Sequence, residues 1–307
     1  MPLYLAVDAG GTTTTCLLAD DSKTLARHSA GTLKLIRASE SQARENLDTL
    51  LTRIAADSGA DLREVSSTCI GLAGNSILDY VAWVRDRFGE RVGGKLSILG
   101  DEEIALDAAF RGGRGVLVLA GTGSNVAGRA ADGTIVRVGG WGPALGDEGS
   151  GGWIGSAALR AAFRAFDARE RSTLLDSIAA HWHLTSIEDV VAEANRVPGP
   201  DLAALTPVIL ACAEEGDAVA MRVLVSAGQE LAVSALIALR KLRDIEPDTP
   251  PPAVAISGSV LARVAPVREA MIDYLRAQIP ALEFIRDPVD PLEGALWRAR
   301  DAEKIPK

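Results

Sequence analysis

The spacing of hydrophobic residues along this chain switches between two patterns, one that predicts strands and one that predicts helices. Short apolar runs bounded by Gly, Asp or Asn are typical of strands, whereas apolar residues spaced three and four apart indicate helices. In the first third of the chain the strand pattern occurs at residues 4–7, 12–19, 23–29, 67–73 and 95–99. The first three of these runs follow one another closely and predict a meander.

The helical pattern is clearest after Ser39, where the sequence Ser-Glu-Ser-Gln has the form of a capping box. From there to Asp57 apolar residues recur at helical spacing, and a second helix is predicted over residues 78–88. Residues 156–243 are mostly helical by the same criterion, and Gly258 opens a predicted helix that runs to about residue 277.

The second half of the chain begins with the same order of elements as the first. After a Gly-rich linker at residues 111–115, an apolar run at residues 116–120 ends in a Gly/Thr turn. A hairpin with its turn at Asp132-Gly133 is predicted next. The similarity lies in the architecture rather than in the sequence, and it predicts two similarly built domains facing each other.

These boundaries give an α/β protein of two domains, residues 1–111 and residues 112–289. The second domain carries helical insertions. A last helix, residues 290–303, is expected to pack back on the first domain.

Charge and cysteine content narrow the class of protein. The formal net charge of −9 argues against nucleic acid or anionic lipid as a partner. The N-terminus lacks the basic segment of a signal peptide, and no apolar run reaches the roughly 18 residues of a membrane span, so we expect a cytoplasmic protein. Cys16, Cys69 and Cys212 form no CxxC pair, which indicates neither a disulfide framework nor a zinc site.

The first candidate site is the turn after residues 4–7. Asp8 stands at the end of that run, followed by Gly10, Gly11, Thr12 and Thr13. Glycines let the backbone approach a phosphate closely, and the threonines add hydroxyl donors. Asp8 could hold Mg²⁺ through water, since Mg²⁺ retains several waters in protein sites. A plain hairpin with a capping Asp is the alternative.

A second turn of the same kind follows residues 116–120. It comprises Gly121, Thr122, Gly123 and Ser124. Alone such a turn is weak evidence of function. Two Gly/Thr turns in matching positions of two halves indicate a pair that could grip a polyphosphate from both sides.

The third candidate lies between residues 139 and 153, where seven glycines surround two acids and two tryptophans. This composition favours a loop whose backbone lines a ligand pocket rather than a packed helix or strand. Gly140, Trp141, Gly142 and Asp147 combine a flat apolar face with hydroxyl acceptors. That combination suits a sugar ring.

Two further positions are ambiguous from the residues alone. Asp101 follows the strand at 95–99 and could cap the next helix or act as a general base. Gly258 and Ser259 form a strand-to-helix turn that could lie against an adenosine or be a simple connection.

Over nearly the whole chain, the order and spacing of these motifs resemble those of the sugar kinase, heat-shock-70 and actin ATPase superfamily. The motifs are DAGGT, GTGSN, GGWG followed by GDEGS, and SGSV. Within the superfamily the chain resembles the BadF/BadG/BcrA/BcrD ATPase group, which contains N-acetylglucosamine kinases. The resemblance implies two ribonuclease-H-like domains around a central cleft that binds ATP and Mg²⁺.

The resemblance also assigns roles to individual residues. It implies that Thr12 and Thr122 contact nucleotide phosphates, that Asp8 organises Mg²⁺ and that Gly258 lies near the adenosine. It implies that Asp101 is the general base toward a sugar 6-hydroxyl, and it favours that role over the cap. The implied sugar ligands are Gly140, Trp141, Gly142 and Asp147.

One departure from the group's pattern concerns the acceptor sugar. Kinases of this group carry an Asn after the first meander, whereas this chain has Gly-Thr-Leu-Lys-Leu-Ile at residues 31–36. Lys34 could take over that contact, or a different amino sugar could be preferred. Asn75, in the turn after residues 67–73, is a further candidate sugar ligand.

The resulting hypothesis is an ATP-dependent kinase that transfers the γ-phosphoryl group to an amino sugar, N-acetylglucosamine or glucosamine, and that forms a homodimer. One alternative is an ATP-driven activator of a dehydratase or reductase with an iron–sulfur cluster across a dimer, which needs cysteine thiolates. The cysteine pattern disfavours it. A second alternative is a non-catalytic sensor of sugar or nucleotide.

Overall fold

The computed structural model describes residues 1–301, and its elements follow the predicted order closely. Within that range the strands are β1 Leu3–Ala9, β2 Thr13–Ala19, β3 Thr24–Gly31, β4 Val65–Leu72, β5 Lys95–Gly100, β6 Gly115–Ala120, β7 Ser124–Arg129, β8 Ile135–Gly139, β9 Val254–Ser257 and β10 Phe284–Ile285. The helices are α1 Glu40–Ser58, α2 Leu78–Gly89, α3 Asp101–Phe110, α4 Gly151–Asp167, α5 Leu174–His181, α6 Ile187–Ala194, α7 Thr206–Glu214, α8 Ala218–Ile245, α9 Ser259–Arg263, α10 Ala265–Gln278 and α11 Pro291–Arg300.

The chain divides into two compact units. The first comprises Met1–Leu117, Ala127–Ile135 and a C-terminal segment that begins at Val289. The second comprises Val118–Val126 and Val136–Pro288. The predicted C-terminal helix begins within the third segment of the first unit, and its last two residues, 302 and 303, lie outside the described residues.

The first sheet has the strand order β3-β2-β1-β4-β5. The predicted meander is confirmed, because β1 pairs antiparallel with β2, and β2 antiparallel with β3. β4 then pairs parallel with β1 on one side and with β5 on the other. The carboxyl ends of β1, β4 and β5 therefore meet at one edge of the sheet.

Alternating side chains place a hydrophobic layer on each face of this sheet. On β1, Leu5 and Val7 join the cluster that contains the buried residues of α1 and α2. Ala6, on the opposite face, packs in a cluster with Ile104 of α3 and Leu296 of α11. The predicted cap of α1 is also confirmed, since the Ser39 side chain accepts from the backbone N–H of Gln42.

Helix α11 packs directly against α3 through a glycine and a buried ion pair. A Cβ on Gly294 would overlap the carbonyl oxygen of Ile104, so the two backbones cross without an intervening side chain. Nearby, Arg298 donates from Nε to the fully buried carboxylate of Asp107 at 2.5 Å. Arg129 also lies 2.8 Å from Asp107. Residues close to the C-terminus thereby complete the core of the first unit.

The second sheet has the strand order β10-β9-β6-β7-β8. The predicted hairpin is confirmed as β7 and β8. The single helix predicted from Gly258 to about residue 277 is wrong, because the structure has two helices, α9 and α10, separated at Val264. Pro266, in the first turn of α10, lacks the N–H that a continuous helix would need.

Within residues 1–301 one helix, α8, is long and apolar enough to cross a membrane by length and composition. Core helices pass the same test, and half of its most apolar window is buried. Its small residues pack against α10, where a Cβ on Gly228 would overlap the carbonyl oxygen of Val267. α8 is therefore a helix that packs within the second unit.

The glycine crossing predicts a clear effect on stability. Gly294→Ala should lower the free energy of unfolding by about 1–3 kcal/mol, because the added methyl forces α11 away from the α3 backbone. Urea denaturation of both proteins measures this difference. The control is Gly89→Ala at the end of α2, where a Cβ would meet no atom within 4 Å. Equal urea midpoints for the two variants would contradict the close crossing.

Candidate functional site

Two carboxylates of the first unit lie at the edge where the parallel strands end. Asp8 is the penultimate residue of β1, and Asp101 follows the last residue of β5. Ala9 is in register with Leu72, and Leu72 with Gly100. With β4 between them, the two strands are roughly 10 Å apart. The structure therefore brings together two residues that are distant in sequence.

Burial and neighbouring charges raise the pKa of both carboxylates. For Asp8, burial followed by the charge of Asp290 raises the pKa to about 6, and Arg27 partly opposes this shift. For Asp101, burial has the largest effect, followed by the hydrogen bond and the charge of Glu102 and by the charge of Asp8, so its pKa lies well above its usual range. Carboxylates of this kind accept protons readily near neutral pH.

The alternative role of Asp101 as a helix cap is wrong. Gly100 occupies the cap position of α3, and Asp101 is the first residue of the helix proper. A carboxylate in the first turn is favoured by the helix dipole, yet this one remains at the edge of the sheet. Asp101 is therefore not needed to close the helix end and is available for other chemistry.

The first Gly/Thr turn lies beside Asp8. Its backbone is closed by a hydrogen bond from Gly10 N to the carbonyl oxygen of Thr13, at 3.0 Å. Thr12 and Thr13 are exposed, and a Cβ on Gly11 would meet no atom within 4 Å. Packing within the unit does not require a glycine at position 11, so its small size leaves room for a ligand to approach.

Tyr80 is a residue of this edge that sequence reasoning missed. It is buried on α2, and its hydroxyl forms no hydrogen bond with any described residue. Burial, followed by the charge of Asp101, raises the pKa of Tyr80 above its usual range. A tyrosine at an apolar position of a helix indicates only a core residue, so its position near Asp101 emerges only from the fold.

The turn after β4 completes this edge. The backbone N–H of Asn75 donates to the carbonyl oxygen of Leu72 at 3.2 Å, so Asn75 stands directly beyond the strand. The Lys34 side chain lies against the preceding residue, Gly74. Lys34 and Asn75, which the sequence suggests as contacts of the acceptor sugar, therefore both lie at this turn.

The second Gly/Thr turn lies in the second unit and is joined to the start of α4. Gly121 N donates to the carbonyl oxygen of Gly123 at 2.9 Å, which closes the turn. Gly151 N donates to the carbonyl oxygen of Gly121 at 2.8 Å. The Ser124 hydroxyl donates to the carbonyl oxygen of Glu148 at 2.7 Å. This turn and the Gly-rich segment form one structure.

The Gly-rich segment is only partly the loop that was predicted. Gly151, Gly152 and Trp153 form the first turn of α4, and the Ser150 hydroxyl caps it by accepting from Trp153 N at 3.2 Å. A Cβ on Gly151 would lie 3.2 Å from the carbonyl oxygen of Gly121. Glycine is therefore used at this helix start for close packing, which outweighs its poor helix propensity.

The remaining residues of the Gly-rich segment differ in backbone conformation and in exposure to solvent. Gly140 and Gly142 have φ values of 73° and 88°, which favour glycine. Trp141 is 75% exposed, whereas Asp147 is buried with a φ of 61°. A Cβ on Gly123 would lie 2.8 Å from Asp147 Oδ2, so this carboxylate faces the second turn.

A cavity of about 480 Å³ opens beside the second turn. Of the predicted residues, Gly121, Thr122 and Ser259 line it, and Gly123, Ser124 and Gly258 do not. The other lining residues are Gly151, Asp201, Ala203, Ala204, Thr206, Pro207, Leu210, Val260, Arg263 and Val264. A mostly apolar pocket with a few polar groups is typical of small-molecule sites.

Two details shape this cavity. Gly258 has a φ of 91°, and a Cβ there would overlap the carbonyl oxygen of Ala120, so glycine keeps the turn after β9 close to β6. Thr206 is 8% exposed, and its hydroxyl has no hydrogen-bond partner among the described residues. Buried hydroxyls are normally paired, so the unpaired hydroxyl of Thr206 is unusual among the residues that line the cavity. No local signal in the sequence identifies it.

The His, Cys, Asp and Glu side chains decide whether the protein can hold a metal ion. Among residues 1–301, no group of three His, Cys, Asp or Glu could hold a metal ion by itself. Asp8 fits Mg²⁺ in another way, because its carboxylate is partly buried beside Asp290 and a cation would relieve that repulsion. Cys16, Cys69 and Cys212 are all buried free thiols.

The family model described as BadF/BadG/BcrA/BcrD ATPase family matches residues 5–299. The chain belongs to this family. The resemblance based on the glycine motifs is therefore confirmed.

Relatives and solved structures agree with this membership. The chain is 29% identical to an N-acetylmuramic acid/N-acetylglucosamine kinase of Clostridium acetobutylicum, over 98% of this chain and 99% of the relative. It is 27% identical to an N-acetyl-D-glucosamine kinase of Dictyostelium discoideum, over 98% of this chain and 99% of that relative. A crystal structure of a proposed N-acetylglucosamine kinase from Chromobacterium violaceum has a TM-score of 0.73 and 25% identity, covering 96% of this chain and 98% of that one. The predicted α/β fold of the actin-like ATPase type is confirmed.

The raised pKa of Asp8 predicts how stability depends on pH. Its folded-state value of about 6 lies above the ordinary 3.8, so ionisation of Asp8 lowers the free energy of unfolding as pH rises through this window. Asp8→Asn should therefore exceed wild type in stability at pH 8, on the order of 1–3 kcal/mol, and match it near pH 4. Urea unfolding at both pH values tests this.

The control for this measurement is Asp86→Asn, which removes an exposed carboxylate from α2. This variant should track the wild type at both pH values. A constant difference between Asp8→Asn and wild type across the pH range would rule out the proposed desolvation of Asp8.

Proposed function

We propose that the protein is an ATP-dependent kinase that phosphorylates the 6-hydroxyl of N-acetylglucosamine. The observation that carries this proposal is the desolvated carboxylate of Asp101, beside a glycine turn in a member of an ATPase family. The names of the Clostridium and Dictyostelium relatives support an amino sugar as the acceptor.

In this proposal Asp101 is the general base. It takes the proton of the 6-hydroxyl as that oxygen bonds to the γ-phosphorus, while the bond from phosphorus to the leaving oxygen of ADP breaks. Phosphoryl transfer needs alignment, charge neutralisation and such a base rather than covalent chemistry by the protein.

The nucleotide is assigned to the two Gly/Thr turns. Thr12, Thr13 and the N–H group of Gly11 are proposed to bind phosphate in the first unit, where Gly10 closes the turn and lets the phosphate approach the backbone. Gly121 to Ser124 have the same role in the second unit. The cavity beside Ser259 and Gly258 would receive the base and ribose. Asp8 would hold Mg²⁺ through water, and the ion would neutralise charge on the phosphates when bound.

The sugar is assigned to Asn75, Gly140, Trp141, Gly142 and Asp147 together with Asp101. Asn75 is supported by its position at the same sheet edge as Asp101. Trp141 is supported by its exposed ring, which can stack on the apolar face of a pyranose. Asp147 is buried, and its carboxylate faces Gly123 of the second Gly/Thr turn.

The activator hypothesis finds no support in the cysteines. Each of the three is buried, and burial raises the pKa of both Cys16 and Cys69, which disfavours the thiolates that a cluster would need. We also propose that the protein is a cytoplasmic homodimer that binds neither nucleic acid nor a membrane.

The role of Asp101 gives a kinetic prediction. Asp101→Asn should lower kcat by about 10²–10⁴-fold with little change in the KM for ATP, because only the proton acceptor is lost. A coupled assay of ADP release with N-acetylglucosamine measures both constants. Asp79→Asn, an exposed carboxylate on α2, is the matched control. Near-normal turnover by Asp101→Asn would remove this residue from the role of base.

The cavity in the second unit gives a separate prediction. Thr206→Val keeps the shape of the side chain but removes the unpaired hydroxyl, so the Kd for ATP should rise by about 5–10-fold. Calorimetric titration with ATP measures the change. Thr134→Val, on the exposed turn between β7 and β8, makes the same replacement away from the cavity. Unchanged affinity in Thr206→Val would place the nucleotide elsewhere.

A further inference from the structure

Glu102 is a buried acid next to Asp101 that the proposed reaction does not use. It lies in the first turn of α3 and is 6% exposed. A Cβ placed on Gly100 would lie 2.6 Å from Glu102 Oε2 and 2.7 Å from both Cδ and Oε1. The Glu102 carboxyl group is therefore folded back over the residue that precedes Asp101 instead of extending into solvent.

This placement, and not the backbone conformation, requires the glycine at position 100. Gly100 has a φ of −69° and a ψ of 150°, which are extended values that any residue adopts. The space for a side chain there is filled by the Glu102 carboxyl group. A larger residue at position 100 would push that group away without altering any charge.

The side chains of Asp101 and Glu102 are hydrogen-bonded to each other. Two ionised carboxylates have only acceptor atoms, so this bond requires that one of the two groups carries a proton. Like charges at this separation are too costly for both acids to be ionised. The two acids therefore hold one proton near neutral pH, and the raised pKa at this position belongs to the pair.

Two features place the shared proton on Glu102. The backbone N–H of Glu102 donates to the Asp101 carboxylate, which stabilises the charged form of Asp101. Glu102 is buried, whereas Asp101 is only half-buried, and loss of solvent disfavours the charged form more strongly at the more buried group. Asp101 thus carries the negative charge, and Glu102 carries the hydrogen-bond donor.

The groups around α3 favour retention of this proton. Asp8 interacts with Asp101 and is acidic, so it adds to the cost of ionising both members of the pair. Arg298 pairs instead with Asp107, farther along α3, at 2.5 Å. The titratable groups that neighbouring elements bring to α3 include Asp8 of β1, Cys69 of β4, Tyr80 of α2 and Arg298 of α11.

We propose that Glu102 is a positioning residue whose protonated carboxyl group donates a hydrogen bond to Asp101 and holds that carboxylate as the acceptor of the 6-hydroxyl proton. As the sugar oxygen bonds to phosphorus and the bond to ADP breaks, the hydroxyl proton passes to Asp101, and Glu102 keeps its own. Asp101 then releases the transferred proton to water. The inference rests on the role of Asp101 in the proposed function.

Three variants test the hydrogen bond through kcat for N-acetylglucosamine at saturating ATP. Glu102→Gln should stay within about threefold of wild type, because its amide N–H replaces the donor. Glu102→Leu should lower kcat by about 10–100-fold, because Asp101 is then no longer held in place. Gly100→Ala should have a similar effect, since its methyl group displaces the Glu102 carboxyl group. Glu103→Gln, at the next acid of α3, is the matched control and should equal wild type.

The pH profile of kcat separates positioning from a structural role. In wild type, loss of the Glu102 proton at alkaline pH removes the donor and adds a second charge beside Asp101, so kcat should fall. Glu102→Gln has no such proton, and its kcat should stay constant over the same range. The same alkaline fall in Glu102→Gln would overturn the inference, whether or not Glu102→Leu folds. Wild-type turnover by a folded Glu102→Leu would overturn it as well.

Carbon-13 NMR of aspartate carboxyl groups separates this inference from the proposed function. The Asp101 signal is identified by its loss in Asp101→Asn and is followed against pH without ATP or sugar. In wild type it should show a step from the ionisation of Glu102 that is absent from Glu102→Gln. Loss of that step in the variant, in a protein that phosphorylates no sugar, would support the pair and refute the kinase. Identical titrations, together with turnover of N-acetylglucosamine, would refute the pair and support the kinase.

Discussion

The parallel pairing of β4 with both β1 and β5 is the constraint on which the first unit depends. It aligns the ends of three strands, so that Asp8, the turn at Gly74 and Asp101 share one edge although the residues are far apart in sequence. The glycine crossing of α11 over α3 covers one face of the same sheet. Displacing any of these strands would separate the residues on which catalysis is proposed to depend.

The charges at this edge are unfavourable for the folded state. Asp8 and Asp101 lose solvation and repel each other, and Arg27 partly offsets the charge of the first. Such a cost is typical of active sites, where groups are held ready for a ligand rather than satisfied by neighbours. A cation and a sugar hydroxyl that donates a hydrogen bond are the partners that would relieve it.

The second unit builds its site mainly from small residues. Gly151 and Gly258 let backbone segments approach more closely than side chains would allow, and the cavity opens beside them. Thr206, whose buried hydroxyl has no partner among the described residues, is one of the residues that line it. Some glycines of the predicted loop are therefore needed for close packing. Two of these, Gly151 and Gly152, begin helix α4.

The sequence by itself determined the strand order of the meander, the family and the glycine turns, because these depend on local periodicity and on residues close together in the chain. It left Asp101 open between cap and base, since helix boundaries are uncertain by a residue or two. Only the tertiary structure assigned the cap to Gly100 and brought Tyr80 near Asp101. It also left Thr206 unpaired and set Lys34 beside Gly74. Such placements depend on which distant elements pack together, and no short stretch of sequence records that.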